Sequence, residues 1–440
     1  MTKFFEDVPG SKPQVYSEAA AKPAPKPALA SSFGVSNGHP VSATQEDSFR
    51  PSGLSPKIVL YSHDTFGMGN IRRTLLLSQD FITQYPGASI LIITGSPMIH
   101  AFRIPTGIDY IKLPCLDRFA AEEYAPRYLS GCSEEVKQTR EAILRESVLR
   151  FNPDLMVIDK RASGIDGELL PTLHALRENG RHTKLALGVR DILDEPERTR
   201  KILAGNGSFE VIDEFYDEVW IYGSKEIFDT AKEYAFPESI HRKTFYCGYL
   251  KRPTVSSGRN EGPPRVLITT GGGGDGSDII QAYLTGLSTL PRNVALRTTV
   301  IFGPQMPEAC RAELLRRFDY LADVEFLEFE ADITNRYAES DVVVSQAGYN
   351  TVCELLSFSR RAILVPRSEP VREQLIRARL MAERGFFECI EPRDLTPETL
   401  ISKVLEALNS SSITSSTLKL DGLPVIRERV RGLLNWRRAA

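Results

Sequence analysis

The stretch SQAGYNTVCELL, residues Ser345 to Leu356, decides the fold. It lies between two apolar runs, so the pattern predicts a strand, a tight turn, a helix and a second strand. Asn350 or Thr351 is predicted to cap the helix, with Glu354 about one turn later on its exposed face. A helix start of this kind binds phosphate through unpaired N–H groups, and the adjacent carboxylate suits a ribose hydroxyl. The alternative is a capped turn with a solvated glutamate.

The composition indicates a protein of two domains with extensions, because 440 residues are too many for one core. A net charge of −3 lacks the basic excess of nucleic-acid-binding proteins, so we expect no nucleic-acid partner. The six cysteines and six histidines show no metal-ligand spacing, which predicts reduced thiols and no metal. No apolar run approaches the roughly 18–20 residues of a membrane span, and no signal peptide is visible. We therefore expect a cytoplasmic protein with at most peripheral membrane contact.

The first part of the chain changes character at residue 57. Residues 1–56 are rich in Pro, Ala and Ser and are predicted to be a disordered tail. From there to residue 249, apolar runs alternate with helical patterns, which predicts a Rossmann-like domain with a parallel sheet buried on both faces. The predicted strands are 57–62, 89–95, 154–159, 184–191, 218–223 and 244–249.

The same pattern restarts after a Pro, Gly and Ser-rich segment, 250–264, that reads as a linker. Residues 265–408 again alternate strands and helices, so we expect a second Rossmann-like domain and an α/β fold with two parallel sheets. Residues 409–440 end in an amphipathic basic helix, predicted to pack across the domains; a membrane-surface role is the alternative.

In each predicted domain a glycine-bearing loop follows the first strand. The loops are HDTFGMG, from His63, and GGGGDGS, from Gly271. Neither has the spacing of a dinucleotide or P-loop fingerprint. The unbroken glycine run nevertheless allows a phosphate to approach the backbone closely, which predicts an anion cradle. A tight connection without a ligand is the alternative.

A third element is PRSEPVREQLIRA, in which Glu373 and Gln374 begin a helix at the carboxyl edge of the second sheet. Adjacent acceptor and amide groups suit sugar hydroxyls. Capping and solvation of the helix start is the alternative.

Together these motifs resemble a known family. GGGGDG, EFEADI, SQAGYNTVCE and REQLIRA are similar to the C-terminal domain of the family 28 glycosyltransferases, which include the N-acetylglucosaminyltransferase of peptidoglycan synthesis. YSHDTFGMGNIRR and LGVRDILD resemble a bacterial group of predicted glycosyltransferases within residues 57–405. The resemblance implies the GT-B fold, with two Rossmann-like domains facing across a cleft and the acceptor on the N-terminal one.

The resemblance also implies which residues bind the donor. The glycine loop would contact the diphosphate, Phe329 and Glu330 would border the base, Glu354 would hold the ribose, and Glu373 and Gln374 the transferred sugar. The full predicted donor set is Gly271, Gly272, Gly273, Gly274, Phe329, Glu330, Gly348, Asn350, Thr351, Glu354, Glu373 and Gln374.

The catalytic base is predicted at His63 or Asp64, which end the first strand, because histidine titrates near neutral pH and an adjacent carboxylate would raise its pKa slightly. The family usually has Gly-His where this chain has Gly69-Asn70, and Asn70 takes no proton. Gly67, Gly69 and Asn70 would then form an acceptor loop. An alternative is that Asp64 caps the turn above a packed His63; Asp159 and the Arg190-Asp191 pair are reserve candidates.

The sequence therefore predicts an inverting, metal-independent hexosyl- or N-acetylhexosaminyltransferase. It would use a nucleotide sugar as substrate, which we expect to be UDP-linked, no cofactor, and an unknown acceptor such as a lipid-linked or small-molecule glycan. A nucleotide-sugar hydrolase or epimerase and a non-catalytic nucleotide-sugar-binding protein are the alternatives.

Overall fold

The fold is described by a computed structural model that covers residues 55–63, 69–120, 123–130, 132–178, 182–255, 262–291, 293–410 and 418–434. The predicted tail, 1–56, lies almost wholly outside the described residues. Within the described part of the chain, no helix has both the length and the apolar character that crossing a bilayer requires.

The first half of the chain contains nine strands among its described residues. They are β1 (Lys57–Ser62), β2 (Ser89–Thr94), β3 (Ile108–Lys112), β4 (Leu116–Ala120), β5 (Glu123–Pro126), β6 (Leu155–Asp159), β7 (Lys184–Arg190), β8 (Glu218–Tyr222) and β9 (Thr244–Tyr246). Seven form a parallel sheet in the order β3-β2-β1-β6-β7-β8-β9, while β4 and β5 pair as an antiparallel hairpin. The predicted parallel sheet is confirmed; β3 and the hairpin were missed.

Helices cover both faces of this first sheet. They are α1 (Gly69–Gln84), α2 (Ser133–Phe151), α3 (Leu170–Glu178), α4 (Pro196–Gly205), α5 (Ser208–Phe215), α6 (Thr230–Glu233) and α7 (Glu238–His241). All residues of β6 and β8 are buried, as expected for strands covered on both faces.

A second parallel sheet follows in the later half. Its strands are β10 (Arg265–Thr269), β11 (Arg297–Ile301), β12 (Val324–Leu327), β13 (Val342–Ser345), β14 (Arg361–Leu364) and β15 (Glu388–Cys389), in the order β12-β11-β10-β13-β14-β15. Its helices are α8 (Ser277–Ser288), α9 (Glu308–Phe318), α10 (Thr334–Glu339), α11 (Tyr349–Phe358), α12 (Glu373–Glu383) and α13 (Pro397–Asn409). The strand, turn, helix and strand predicted around residues 345–356 are β13, α11 and β14.

The segment predicted as a linker, 250–264, begins inside the core. Leu250 is fully buried, and the backbone N–H of Arg252 donates to the Ser357 hydroxyl at 2.9 Å. The start of this segment is therefore anchored by packing and hydrogen bonds.

The last described helix, α14 (Gly422–Leu434), returns to the first half of the chain and packs against α1. Ile426 and Val430 are fully buried in an apolar cluster that contains residues of both halves. Arg427 donates to Asp80 on α1, and Arg429 pairs with Glu218 on β8. These contacts hold α14 against the first half of the chain.

Truncation of Ile426 tests how much this helix stabilises the fold. Ile426→Ala removes a fully buried side chain between α14 and α1, which typically costs about 2–5 kcal/mol. We expect a clear fall in the denaturant midpoint, whereas Glu428→Ala, on the exposed face of α14, leaves it nearly unchanged. Equal midpoints for the two variants would contradict a stabilising role for α14.

Candidate active site

Each parallel sheet has a point where the strand order reverses, and the candidate site lies between these two points. In the first sheet the reversal falls between β1 and β6, and in the second between β10 and β13. Ligands of open parallel sheets bind at the carboxyl ends of the strands at such points. Described residues that follow β1, β6, β10 and β13 all line one cleft of about 410 Å³. The two sheets therefore contribute opposite walls of a single cavity.

The glycine run after β10 lines the second-sheet wall. Gly271 has a φ of +65° and Gly273 a φ of +89°, conformations that favour glycine. A Cβ on Gly273 would clash with the carbonyl oxygen of Phe302, whereas a Cβ on Gly271 would meet open space. Gly273 is thus required by packing, and Gly271 leaves backbone accessible to a ligand.

The start of α11 lines the same wall, but its cap differs from the prediction. Gly348 is the N-cap, so no side chain caps this helix. The prediction that Asn350 or Thr351 is the cap was wrong. The Asn350 side chain instead donates to the carbonyl of Gly69 at 2.8 Å and accepts from Arg252 at 2.6 Å. These two hydrogen bonds hold the Asn350 side chain against α1, so it does not cap its own helix.

The backbone of α11 still offers donors to the cleft. Its first intrahelical bond runs from the N–H of Val352 to the carbonyl of Gly348. The N–H groups of residues 349–351 therefore lie outside the helical hydrogen-bond ladder, at the positive end of the dipole. All three residues line the cleft, so this end of the helix can bind an anionic group.

The charged side chains that line the cleft are mainly cationic. Among the described residues that line it, six are basic and two are acidic: Arg72, Arg73, Lys160, Arg161, Arg190 and Arg367 against Asp275 and Glu373. Such an excess favours a ligand with several negative charges, such as a diphosphate. No group of three or more His, Cys, Asp or Glu residues placed to hold a metal is present in the described part of the chain.

Glu354, the predicted ribose ligand, is not on an exposed face. Glu354 is only 4% exposed, and its carboxylate forms an ion pair with Arg72 of α1. The prediction of an exposed position was wrong because α1 covers this side of α11. Glu354 lines a second cavity, of about 530 Å³, and Arg72 lines both this cavity and the cleft. The role of Glu354 in binding ribose stays a prediction.

Phe329 and Glu330, predicted to border the base, are not among the residues that line either cavity. Glu330 accepts from Arg336 at 2.9 Å, and Phe329 is half-buried. The residues that follow them, 331–334, do line the second cavity. The segment predicted from sequence thus reaches the cavity a few residues later than expected.

Glu373 and Gln374 begin α12 as predicted, and both are buried in the wall of the cleft. Burial alone would raise the pKa of the Glu373 carboxyl, but Arg190, Arg377 and Arg367 lower it to about 2. The Gln374 Oε1 atom is buried without a hydrogen-bond partner in the described structure. A buried carbonyl oxygen without a donor is costly, so a ligand hydroxyl would satisfy it.

His63 ends β1 and lines the first-sheet wall. Its Nδ1 lies 3.3 Å from the carbonyl oxygen of Asp159, which only accepts, so Nδ1 carries the proton. Its Nε2 then accepts from the Asn70 amide, also at 3.3 Å. The ring is therefore held neutral, with its basic nitrogen beside Asn70.

The pKa of His63 is lower than the sequence suggested. Burial lowers the pKa well below its usual value of 6.5, and the cations Arg161 and Lys160 lower it further. The expected slight rise in pKa from an adjacent carboxylate was wrong, since burial and, after it, these cations lower the pKa. Asp64 itself lies outside the described residues.

The predicted acceptor loop of Gly67, Gly69 and Asn70 is only partly a loop. Gly67 lies outside the described residues, while Gly69 and Asn70 are the first residues of α1. Both line the cleft.

The reserve candidates for the base are held in buried ion pairs. Asp159 accepts from Arg73 through both carboxylate oxygens, at 2.9 and 2.6 Å. Asp191 pairs with Arg377 at 2.7 Å and accepts from the Tyr249 hydroxyl at 3.0 Å. Each carboxylate would have to break its ion pair to accept a proton.

Sequence reasoning missed several residues of the cleft. Arg72 and Arg73 were assigned only to a helix. Two cations near a helix N-terminus are unfavourable beside the positive end of the dipole, and this placement could have indicated a binding role. Tyr124 reaches the cleft from the β4–β5 hairpin, with the Arg161 guanidinium 5.3 Å from its ring centre. No periodicity marked that hairpin, so its aromatic residue carried no signal.

Comparisons with known proteins identify the second half of the chain. Residues 266–421 match the model of the glycosyltransferase family 28 C-terminal domain. The resemblance predicted from sequence is thereby confirmed over this region.

One relative is the UDP-N-acetylglucosamine--N-acetylmuramyl-(pentapeptide) pyrophosphoryl-undecaprenol N-acetylglucosamine transferase of Haemophilus influenzae. It is 30% identical over 172 residues, which are 39% of this chain and 46% of the relative. The chain thus spans about half the length of the curated relatives it matches.

Solved structures confirm the GT-B fold. MurG of Acinetobacter baumannii aligns with a TM-score of 0.51 at 15% identity, over 86% of this chain and 99% of its own. A UDP-N-acetylglucosamine 2-epimerase aligns with a TM-score of 0.57 at 12% identity, over 88% and 97% of the two chains. At these identities the structures show the shared fold alone.

The state of His63 gives a testable prediction. A lowered pKa predicts that the ring stays neutral with its proton on Nδ1 at pH 6.5, and protonates only well below that pH. Nitrogen-15 NMR of the ring, assigned with His63→Gln, would measure this. UDP should raise the pKa, since its negative charges offset the cations around His63. A ring already half protonated near pH 6.5 without UDP would contradict the described geometry.

Proposed function

We propose that the protein is a glycosyltransferase that transfers a hexosyl or N-acetylhexosaminyl group from a UDP-linked sugar. The observation that carries this proposal is the convergence, in one cationic cleft, of the glycine run after β10, the start of α11 and the unpaired Gln374 Oε1. These groups match a diphosphate and a sugar hydroxyl. The family 28 match of residues 266–421 supports the same assignment.

The donor would extend through both cavities. Its nucleoside would occupy the second cavity beside Glu354, and its diphosphate the cleft beside Gly271 and the start of α11. Arg72 stands between the two, so its guanidinium would exchange part of its ion pair with Glu354 for the diphosphate. Gln374 and Glu373 would receive the hydroxyls of the transferred sugar.

The leaving group would be stabilised by the protein itself. Negative charge develops on the diphosphate as the glycosidic bond breaks, and preorganised N–H groups and guanidinium groups stabilise such charge. The cleft holds both kinds of group around the proposed diphosphate position. We therefore propose transfer without a required metal ion.

We propose inversion at the anomeric carbon, which the arrangement of the two walls supports. The donor groups belong to the second sheet, whereas His63 belongs to the first. An acceptor hydroxyl approaching from the His63 side attacks opposite the leaving diphosphate, which inverts the anomeric carbon. His63 Nε2 would accept the hydroxyl proton once the acceptor displaces the Asn70 amide.

The test is turnover of UDP-sugars by the purified full chain. UDP release that requires an acceptor, continues in EDTA and gives an inverted product by proton NMR would support the proposal. His63→Gln should lower kcat at least roughly 10²-fold, because general-base catalysis is worth about 10²–10⁴-fold. UDP release without any acceptor would indicate a hydrolase, and interconversion of sugars without UDP release an epimerase. Binding without turnover would indicate a binding protein.

Glu354→Gln tests the ribose contact. Losing a hydrogen bond to a charged group costs roughly 1.5–3 kcal/mol, so UDP affinity should fall about tenfold or more. Calorimetric titration with UDP would measure this, with Glu339→Gln as a control, since Glu339 pairs with Arg265 outside both cavities. Equal UDP affinity in wild type and Glu354→Gln would exclude a ribose contact at this residue.

A further inference from the structure

A smaller pocket of about 140 Å³ adjoins the cleft on the first-sheet side. It lies between α4, α5, β7 and the loop 160–164, and we call it the α4 pocket. Lys160, Arg161, Leu193 and Val371 line both the α4 pocket and the cleft. A molecule in the α4 pocket can therefore extend into the cleft.

The α4 pocket exists because α4 is incompletely packed. Thr199 is the one residue of α4 that is fully buried, although Ile202 and Leu203 follow on the same helix. These two apolar side chains stay partly exposed and line the pocket together with Phe236. Apolar side chains around unfilled space leave burial free energy to be gained by a ligand.

A polar atom in the α4 pocket also has no partner. The Oγ1 atom of Thr199 is buried and makes no hydrogen bond in the described structure. The residue is only 4% exposed and lines the pocket. Because buried hydroxyl groups normally have partners, this one points to a ligand that supplies a hydrogen-bonding group.

The size of the α4 pocket limits what can enter. An apolar protein cavity of about 150 Å³ holds a benzene molecule. The volume of about 140 Å³ is close to this, so one aromatic ring fits between the apolar side chains of the pocket.

We propose that the α4 pocket binds an aromatic ring of the acceptor, with a polar substituent of that ring bonded to Thr199. The assignment to the acceptor rests on the proposed glycosyltransferase function. Lys160 and Arg161 line both the pocket and the cleft, so an acceptor seated in the pocket extends into the cleft that His63 also lines. The acceptor class is thus a small aryl-bearing alcohol or phenol.

Fluorine-19 NMR on the full chain tests the α4 pocket without requiring catalysis. The probes are 4-fluorophenol and fluorobenzene. We expect both to bind wild type, and Ile202→Trp, which fills the pocket, to abolish binding of both. Ala204→Trp is the matched control on the exposed face of the same helix and should bind normally. Thr199→Val should weaken 4-fluorophenol about fivefold and leave fluorobenzene unchanged.

A thermal melt accompanies each variant, and Leu203→Trp replaces Ile202→Trp if the latter fails to fold. Absence of probe binding to wild type, or equal binding to the filled variant, would overturn the proposal. UDP titration of the same samples separates the two proposals. UDP binding without probe binding refutes the α4 pocket alone, whereas probe binding without UDP binding or UDP-sugar turnover refutes the acceptor assignment.

Discussion

The fully buried guanidinium of Arg377 joins the two sheets, and the cleft depends on it. It pairs with Asp191 at the end of β7, donates to the carbonyl of Ala347 before α11 and pairs with Glu373 on its own helix. Removing one member of such a cluster leaves an unpaired buried charge, which is strongly destabilising. Because the pKa of Glu373 is lowered to about 2, its charge contributes fully to folding stability above about pH 4.3, and this contribution is lost as the pH falls towards 2.

The cluster also explains how acidic and basic groups share one site. Asp159 pairs with Arg73, which lines the cleft, and Asp191 pairs with Arg377 behind it, so both carboxylates are held by buried arginines. A dianionic ligand therefore meets guanidinium groups fixed by carboxylates on their far side. Fixed donors of this kind need little reorganisation when charge develops on a leaving group.

Much of the fold followed from the sequence because parallel strands buried on both faces are continuous apolar runs, as in 57–62 and 342–344. The glycine run and the start of α12 were predictable because their chemistry is local. The positions of Glu354 and Asn350 were not, since each is set by residues nearly 300 positions away on α1. The lowered pKa of His63 likewise depends on its burial in the fold and on cations supplied by the loop after β6.

The return of α14 to α1 has a consequence for the order in which the chain folds. During synthesis, α1 emerges early, but the helix that covers it ends only at residue 434. The first sheet can form with α1 packed on it while the second is still being made, yet the part of α1 that α14 covers stays exposed until this helix leaves the ribosome. A nascent chain stalled before residue 422 would expose this part of α1 to chaperones.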